Sequence, residues 1–185
     1  LRTGEIDCAI LAEPFPDTGL AIAPLYDEPF LAAVPSTHPL AQQESISTQQ
    51  LKNETMLLLG AGHCFRDHVL EVCPEFARYA SNAEGIRRSF EGSSLETIKH
   101  MVAAGMGVTL VPRLSVANDA LQSPRRRRSD EPYIRYLPIV EPDGSAPPKR
   151  RVSLVWRRSF TRYEAIAALR NAIHACKLLG VERLN

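Results

Sequence analysis

The sequence predicts an α/β protein with largely parallel sheets. Short apolar segments bounded by proline or glycine alternate along the chain with segments of helical periodicity, as is typical of strands connected by helices. The 185 residues, of which 44% are hydrophobic, are enough for one domain or for two small lobes with separate cores. We find no internal repeat.

The first third of the chain is predicted to contain strands and one short helix. Residues 6–11 are an apolar segment after a glycine turn, and residues 25–34 contain strand segments bounded by prolines. Residues 47–51 have the pattern of a short capped helix, and residues 55–59 have that of a buried strand.

The clearest helix signal covers residues 93–105. Ser93 and Glu96 have the spacing of a capping box, and Gly105 suits the C-terminal end of a helix. A strand at residues 108–111 is predicted to follow. The remaining elements are predicted as a helix at 116–121, strand segments at 133–140 and 152–156, and a helix at 163–179 whose apolar stripe includes Cys176.

Composition excludes several classes of protein. A formal net charge of +1 gives the chain no basic excess for nucleic acid or for a membrane surface. The longest apolar runs are far shorter than the ~18 residues of a membrane span. Four cysteines are too few for a disulfide scaffold, so we expect a reducing cytoplasm. The chain begins at Leu1 without a methionine and without the features of a signal peptide, so we expect it to be a piece of a longer protein.

Two cysteines flank a predicted short helix in the segment GAGHCFRDHVLEVCP, residues 60–74. Its apolar face carries Phe65, Val69 and Val72. Its polar face carries Arg66, Asp67, His68 and Glu71. A helix of this length separates the Cα atoms of Cys64 and Cys73 by about 13 Å, whereas a disulfide needs about 4.4–6.8 Å. A disulfide between them therefore requires the helix to open.

This pattern favours a thiol switch. So short a helix is stable only through its packing. A disulfide that closes a loop of about ten residues constrains the open state by roughly 2.5–3 kcal/mol, which is comparable with the free energy of apolar burial lost when the helix opens. Cys64 is the expected nucleophile because it begins the helix, where the positive end of the dipole favours a thiolate, beside His63 and Arg66. Its sulfenic acid is then expected to be attacked by Cys73.

Other interpretations of these cysteines stay open on the residues alone. Both are compatible with small apolar core residues. A zinc site of His63, Cys64, His68 and Cys73 lacks the paired spacing of known zinc motifs. A thiol hydrolase needs a base and an orienting partner that spacing does not establish, and a thiol peroxidase needs turnover with a reductant. We predict no enzyme activity, no cofactor and no metal.

The segment GHCFRDHVLEVC resembles the redox segment of the OxyR family, the peroxide-sensing LysR-type transcription regulators. Further similar segments, which with it cover most of the chain, are GEIDCAIL, LYDEPFLAAVPSTHPLA, SSLETIKHMVAAGMGVTLVP, YLP and RRVSLVWR. The resemblance implies that hydrogen peroxide reacts with Cys64 and that Cys73 then forms a reversible disulfide with it. The residues it implies around Cys64 are His63, Arg66, Asp67 and Arg150.

The resemblance also implies the fold and the partners. It predicts a LysR effector domain of two α/β lobes like a periplasmic binding protein, one of residues 1–27 plus 138–185 and the other of residues 28–137 with the redox cysteines. The first lobe would lack its first strand and helix. DNA, through a helix-turn-helix domain absent from this chain, and RNA polymerase would be partners of the full-length activator of antioxidant genes, a homodimer or homotetramer.

One alternative within the LysR-type class involves no redox chemistry. Helix N-termini favour anions, so a small anionic inducer is a possible ligand where the helix begins at Ser93 and Ser94. The cysteines would then be incidental.

Overall fold

The structure, a computed structural model, describes residues 1, 3–16, 19–76, 89–117 and 133–184. The chain forms two compact units. The first combines Leu1–Pro29 with Lys149–Asn185, and the second is Phe30–Pro148. The chain therefore passes between units at residues 29–30 and 148–149, whereas the boundaries expected from the sequence were 27–28 and 137–138.

The described strands are β1 (Cys8–Ala12), β2 (Leu20–Pro35), β3 (Met56–Leu59), β4 (Ser89–Gly92), β5 (Thr109–Pro112), β6 (Ile134–Pro138), β7 (Lys149–Arg157) and β8 (Glu182–Arg183). The α-helices are α1 (Thr48–Leu51), α2 (Cys64–Val72), α3 (Leu95–Ala103) and α4 (Tyr163–Ala175). Short 3-10 helices cover Pro39–Gln42 and Arg113–Ser115. No described helix has the length and apolar character needed to cross a membrane.

In the first unit, β7 lies between β1 and the first half of β2, and both pairings are antiparallel. Helix α4 packs Ile166 over Leu25 and Leu154. This helix ends at Ala175, earlier than the predicted residue 179, where Cys176 adopts an extended backbone conformation. The guanidinium of Arg183 donates to the carbonyl oxygens of His174 and Cys176 at this end. Cys176 is consequently exposed, and its predicted place on an apolar stripe is wrong.

In the second unit, the remainder of β2 pairs antiparallel with β5 and β6, while β3 pairs parallel with β4. The α/β class holds, but the expected predominance of parallel pairing is not confirmed, since five of the six described ladders are antiparallel. The reason is that β2 is one 16-residue strand through both units, and later strands return along it in the opposite direction. Alternation of strands and helices does not specify that direction.

Two predicted helix details also change. The N-cap of α3 is Ser94, whose hydroxyl accepts a hydrogen bond from the Thr97 amide at 3.1 Å, so the capping box at Ser93 is wrong. Glu96 forms an ion pair with Lys99 at 3.1 Å instead. Of the helix predicted at 116–121, residues 118–121 lie outside the described part of the chain.

Candidate functional site

Helix α2 begins directly after a strand of the parallel pair. The chain leaves β3 at Leu59 and turns through Gly62, whose φ of 94° is a conformation that suits glycine. His63 is the N-cap and Cys64 is the first helical residue. The carboxyl end of a parallel strand followed by a helix N-terminus is a usual place for a binding or reactive site.

The predicted helix is confirmed, and its buried face is wider than predicted. Phe65 and Val69 are buried, and the Phe65 ring contacts Phe30 edge to face with centroids 5.4 Å apart. His68 was expected on the polar face but is buried, with its ring centroid 6.2 Å from that of Phe30. His68 follows Phe65 by three residues, a spacing that places both on one face of a helix.

The two cysteines lie at opposite ends of α2 and in opposite environments. Cys64 is exposed, whereas Cys73 caps the C-terminus and is completely buried in the core of the second unit. The Cys73 amide donates to the Val69 carbonyl oxygen at 2.9 Å, so the helix is intact up to it. Nine helical residues hold the two Cα atoms about 13 Å apart. Both thiols are free, and neither can reach the other in this conformation.

The environment of Cys73 keeps its thiol protonated. Burial, the largest cause, and the nearby Glu75 carboxylate together raise the pKa of Cys73 to about 12, against a smaller opposing effect of Lys52. Glu75 and Lys52 themselves form an ion pair at 2.5 Å. A neutral thiol is a poor nucleophile, so Cys73 is unreactive while α2 is intact.

We expect iodoacetamide at pH 8 to modify Cys64 and Cys176 in the folded reduced chain and to leave Cys73 unmodified. With a pKa of about 12, the thiolate fraction of Cys73 is about a thousandfold below that of an unperturbed thiol. Mass spectrometry of peptides after short labelling measures the three rates, and labelling in denaturant is the control in which Cys73 reacts. Equal rates for Cys64 and Cys73 in the folded chain would contradict the assignment.

The other residues predicted around Cys64 in the second unit all belong to the start of α2. Arg66 Nη1 donates to the Leu59 carbonyl oxygen at 2.8 Å and to Glu91 Oε1 at 2.6 Å. His63 and Asp67 are exposed, and Asp67 is the acidic residue of the first helical turn, where a negative charge is favourable. The structure thus places His63, Cys64, Arg66 and Asp67 on one turn and its cap.

Arg150 lies in the first unit, on β7. Its Nε donates to Glu28 Oε2 at 2.8 Å, and Glu28 is almost completely buried. Neither this carboxylate nor that of Glu91 is predicted from the sequence. Two adjacent acidic residues within a strand are the sequence feature that could have indicated Glu28. In the antiparallel pairing of β2 with β7, Glu28 lies opposite Arg150 and Asp27 lies opposite Arg151. The place of Arg150 near Cys64 stays a prediction.

The zinc interpretation finds no support in the described part of the chain. No group of three or more histidine, cysteine, aspartate or glutamate side chains there is arranged to hold a metal ion. His63 and Cys64 are exposed, whereas His68 and Cys73 are buried.

The family of the chain follows from comparison with known proteins. Residues 1–176 match the family model described as the LysR substrate binding domain. The chain belongs to this LysR family. The hydrogen peroxide-inducible genes activator of Pectobacterium carotovorum is 38% identical to this LysR-type domain over 170 residues, which make up 90% of the chain. The domain spans half the length of that relative, since the match covers 50% of it.

Solved structures of OxyR share the fold of this LysR-type domain. A reduced form of OxyR from N. meningitidis has a TM-score of 0.83 at 35% identity and covers the whole domain, which matches 78% of that chain. An oxidised form of OxyR has a TM-score of 0.66 at 33% identity and covers 95% of the domain, which matches 74% of that chain. The resemblance to OxyR is therefore confirmed.

Proposed function

We propose that this LysR-type domain senses hydrogen peroxide through a reversible disulfide between Cys64 and Cys73. The observation that carries the proposal is one helix with an exposed thiol at its start and a buried thiol at its end. Support comes from a relative named as a peroxide-inducible activator and from OxyR structures in reduced and oxidised forms.

The first step oxidises Cys64. Its thiolate sulfur attacks one oxygen of hydrogen peroxide, the O–O bond breaks, and the departing hydroxide takes a proton to become water, leaving a sulfenic acid. Cys64 is exposed at the first residue of α2, so peroxide can reach its sulfur. His63, Arg66 and Asp67 surround the same turn. We assign His63 and Arg66 to donating hydrogen bonds to the departing oxygen, and Asp67 to positioning the peroxide by accepting a hydrogen bond from it. The corresponding role of Arg150 rests on the family resemblance alone.

The second step joins the two cysteines. After α2 opens, the thiolate of Cys73 attacks the sulfur of Cys64, the S–S bond forms and the S–O bond breaks. The departing hydroxide becomes water, so two thiols and one peroxide give one disulfide and two waters. Opening is required because the intact helix keeps Cys73 buried and protonated. Each oxidation therefore changes the conformation of residues 64–73.

The change of shape is the output of the proposed sensor. The domain acts in the cytoplasm within a longer transcription activator of antioxidant genes, whose remaining half binds DNA and brings in RNA polymerase. Oxidation alters a dimer or tetramer interface of the regulatory domain, and a reductant restores the thiols. The chain consumes one peroxide per oxidation and is a switch, not an enzyme with turnover.

Peptide mapping after peroxide treatment tests the proposal. We expect a disulfide-linked peptide pair containing Cys64 and Cys73, formed with about one equivalent of peroxide and lost on reduction. A variant with Cys8→Ser and Cys176→Ser removes the two other cysteines and serves as the control. Recovery of both thiols unmodified would exclude the switch. Thermal stabilisation by small carboxylates instead, abolished by Ser94→Ala, would indicate the anion-binding alternative.

A further inference from the structure

Helix α2 is fastened at its first turn to the neighbouring parallel strands. A single nitrogen, Arg66 Nη1, donates to the carbonyl oxygen of Leu59, the last residue of β3, at 2.8 Å. It also contacts Oε1 of Glu91, on β4, at 2.6 Å. The Arg66 side chain is 13% exposed and that of Glu91 is 53% exposed. A largely buried cation on α2 is thus neutralised by a carboxylate outside α2.

The two acceptors belong to the paired strands β3 and β4. Leu58 pairs with Glu91 and Leu59 with Gly92 in the β3–β4 register, and the Gly60 amide extends this ladder by donating to the Gly92 carbonyl oxygen at 3.1 Å. When α2 opens, Arg66 moves with the helix while Glu91 remains on the sheet. The ion pair must therefore break during the conformational change that precedes disulfide formation.

We infer that Glu91 is a latch on the switch: its carboxylate holds Arg66 and so slows the opening of α2. This inference rests on the proposed Cys64–Cys73 disulfide and concerns its second step, in which the Cys73 thiolate displaces hydroxide from the Cys64 sulfenic acid. Glu91 is a positioning residue, because it acts through Arg66 and contacts neither cysteine among the interactions the structure shows.

The size of the effect follows from the exposure of the pair. Because the Glu91 carboxylate is about half exposed, its ion pair with Arg66 has the strength of a surface ion pair. Loss of this pair therefore changes the equilibrium for opening of α2 by about two- to fivefold. Salt screens such a pair, and the latch is therefore expected to weaken as ionic strength rises. The hydrogen bond from Arg66 to the Leu59 carbonyl oxygen does not depend on Glu91. When the Glu91 charge is removed, this hydrogen bond still holds α2 to β3.

The variant Glu91→Gln tests the latch, because glutamine keeps the shape and an acceptor oxygen but loses the charge. The matched control is Glu96→Gln, which removes an exposed carboxylate from a buried cation, Lys99, on α3 instead of α2. Hydrogen exchange of the α2 amides in the reduced chain is expected to be about two- to fivefold faster in Glu91→Gln and unchanged in the control. High salt should remove the difference. Exchange in Glu91→Gln equal to that of the wild type overturns the latch.

A redox measurement separates this inference from the proposed function. After peroxide addition, disulfide formation in Glu91→Gln is expected to be faster than in the wild type by the same factor. In a Cys73→Ser background, where the sulfenic acid has no resolving thiol, dimedone trapping of Cys64 is expected to proceed at the same rate with and without Glu91→Gln. Faster trapping with unchanged disulfide formation overturns the latch. If the wild type forms no disulfide, the proposed function fails, and hydrogen exchange still decides whether Glu91 restrains α2.

Discussion

Cys64→Ser is expected to abolish the reaction with stoichiometric peroxide, whereas Cys73→Ser is expected to retain it and stop at a sulfenic acid. The difference follows from the positions of the two thiols. Cys64 is exposed at the N-terminus of α2, and Cys73 is buried with its pKa raised to about 12. Serine cannot replace a thiolate nucleophile at Cys64, but it removes only the second step when it replaces Cys73.

Dimedone labelling followed by mass spectrometry measures the sulfenic acid, and non-reducing peptide maps measure the disulfide. The wild type should show a transient adduct and then the disulfide, Cys73→Ser a persistent adduct, and Cys64→Ser neither. Cys176→Ser is the matched control because Cys176 is also exposed but lies in the first unit. Wild-type peroxide consumption by Cys64→Ser would exclude Cys64 as the sensing thiol.

The redox helix was predictable because all of its signals are local. Glycines before it, an apolar residue at every third or fourth position and Pro74 after it determine its start, face and end within fifteen residues. The burial of His68 was not predicted, since it depends on the ring of Phe30, which reaches the same core from β2. A polar residue beside an apolar stripe can belong to either face.

Long-range pairing explains the other differences. Arg66 and Glu91 are 25 residues apart and meet only because β3 and β4 pair in parallel with one particular register. Glu28 and Arg150 are 122 residues apart and meet through the antiparallel pairing of β2 with β7. Periodicity predicts where a strand lies but leaves its partner and direction undetermined, so the sequence indicated the thiols and not the carboxylates that pair with Arg66 and Arg150.

Phe65→Ala is expected to destabilise the reduced chain strongly and to favour its oxidised form. Phe65 is buried and packs edge to face on Phe30, so truncation costs about 3–5 kcal/mol of the free energy of unfolding. Opening of α2 takes the Phe65 ring out of the core. Truncation of Phe65 therefore destabilises the dithiol state and not the disulfide state. A loss of about 3 kcal/mol from that state makes the reduction potential more negative by about 65 mV.

Urea unfolding of the reduced chain gives the loss of stability, and equilibration with a glutathione buffer gives the potential. Leu110→Ala is the matched control: Leu110 is fully buried on β5, outside the switch, so its truncation lowers the stability of both redox states equally. The control should therefore unfold more easily and keep the wild-type potential. If Phe65→Ala also kept that potential despite its lower stability, Phe65 would remain packed in the disulfide form, and the bond would have to form without opening the first turns of α2.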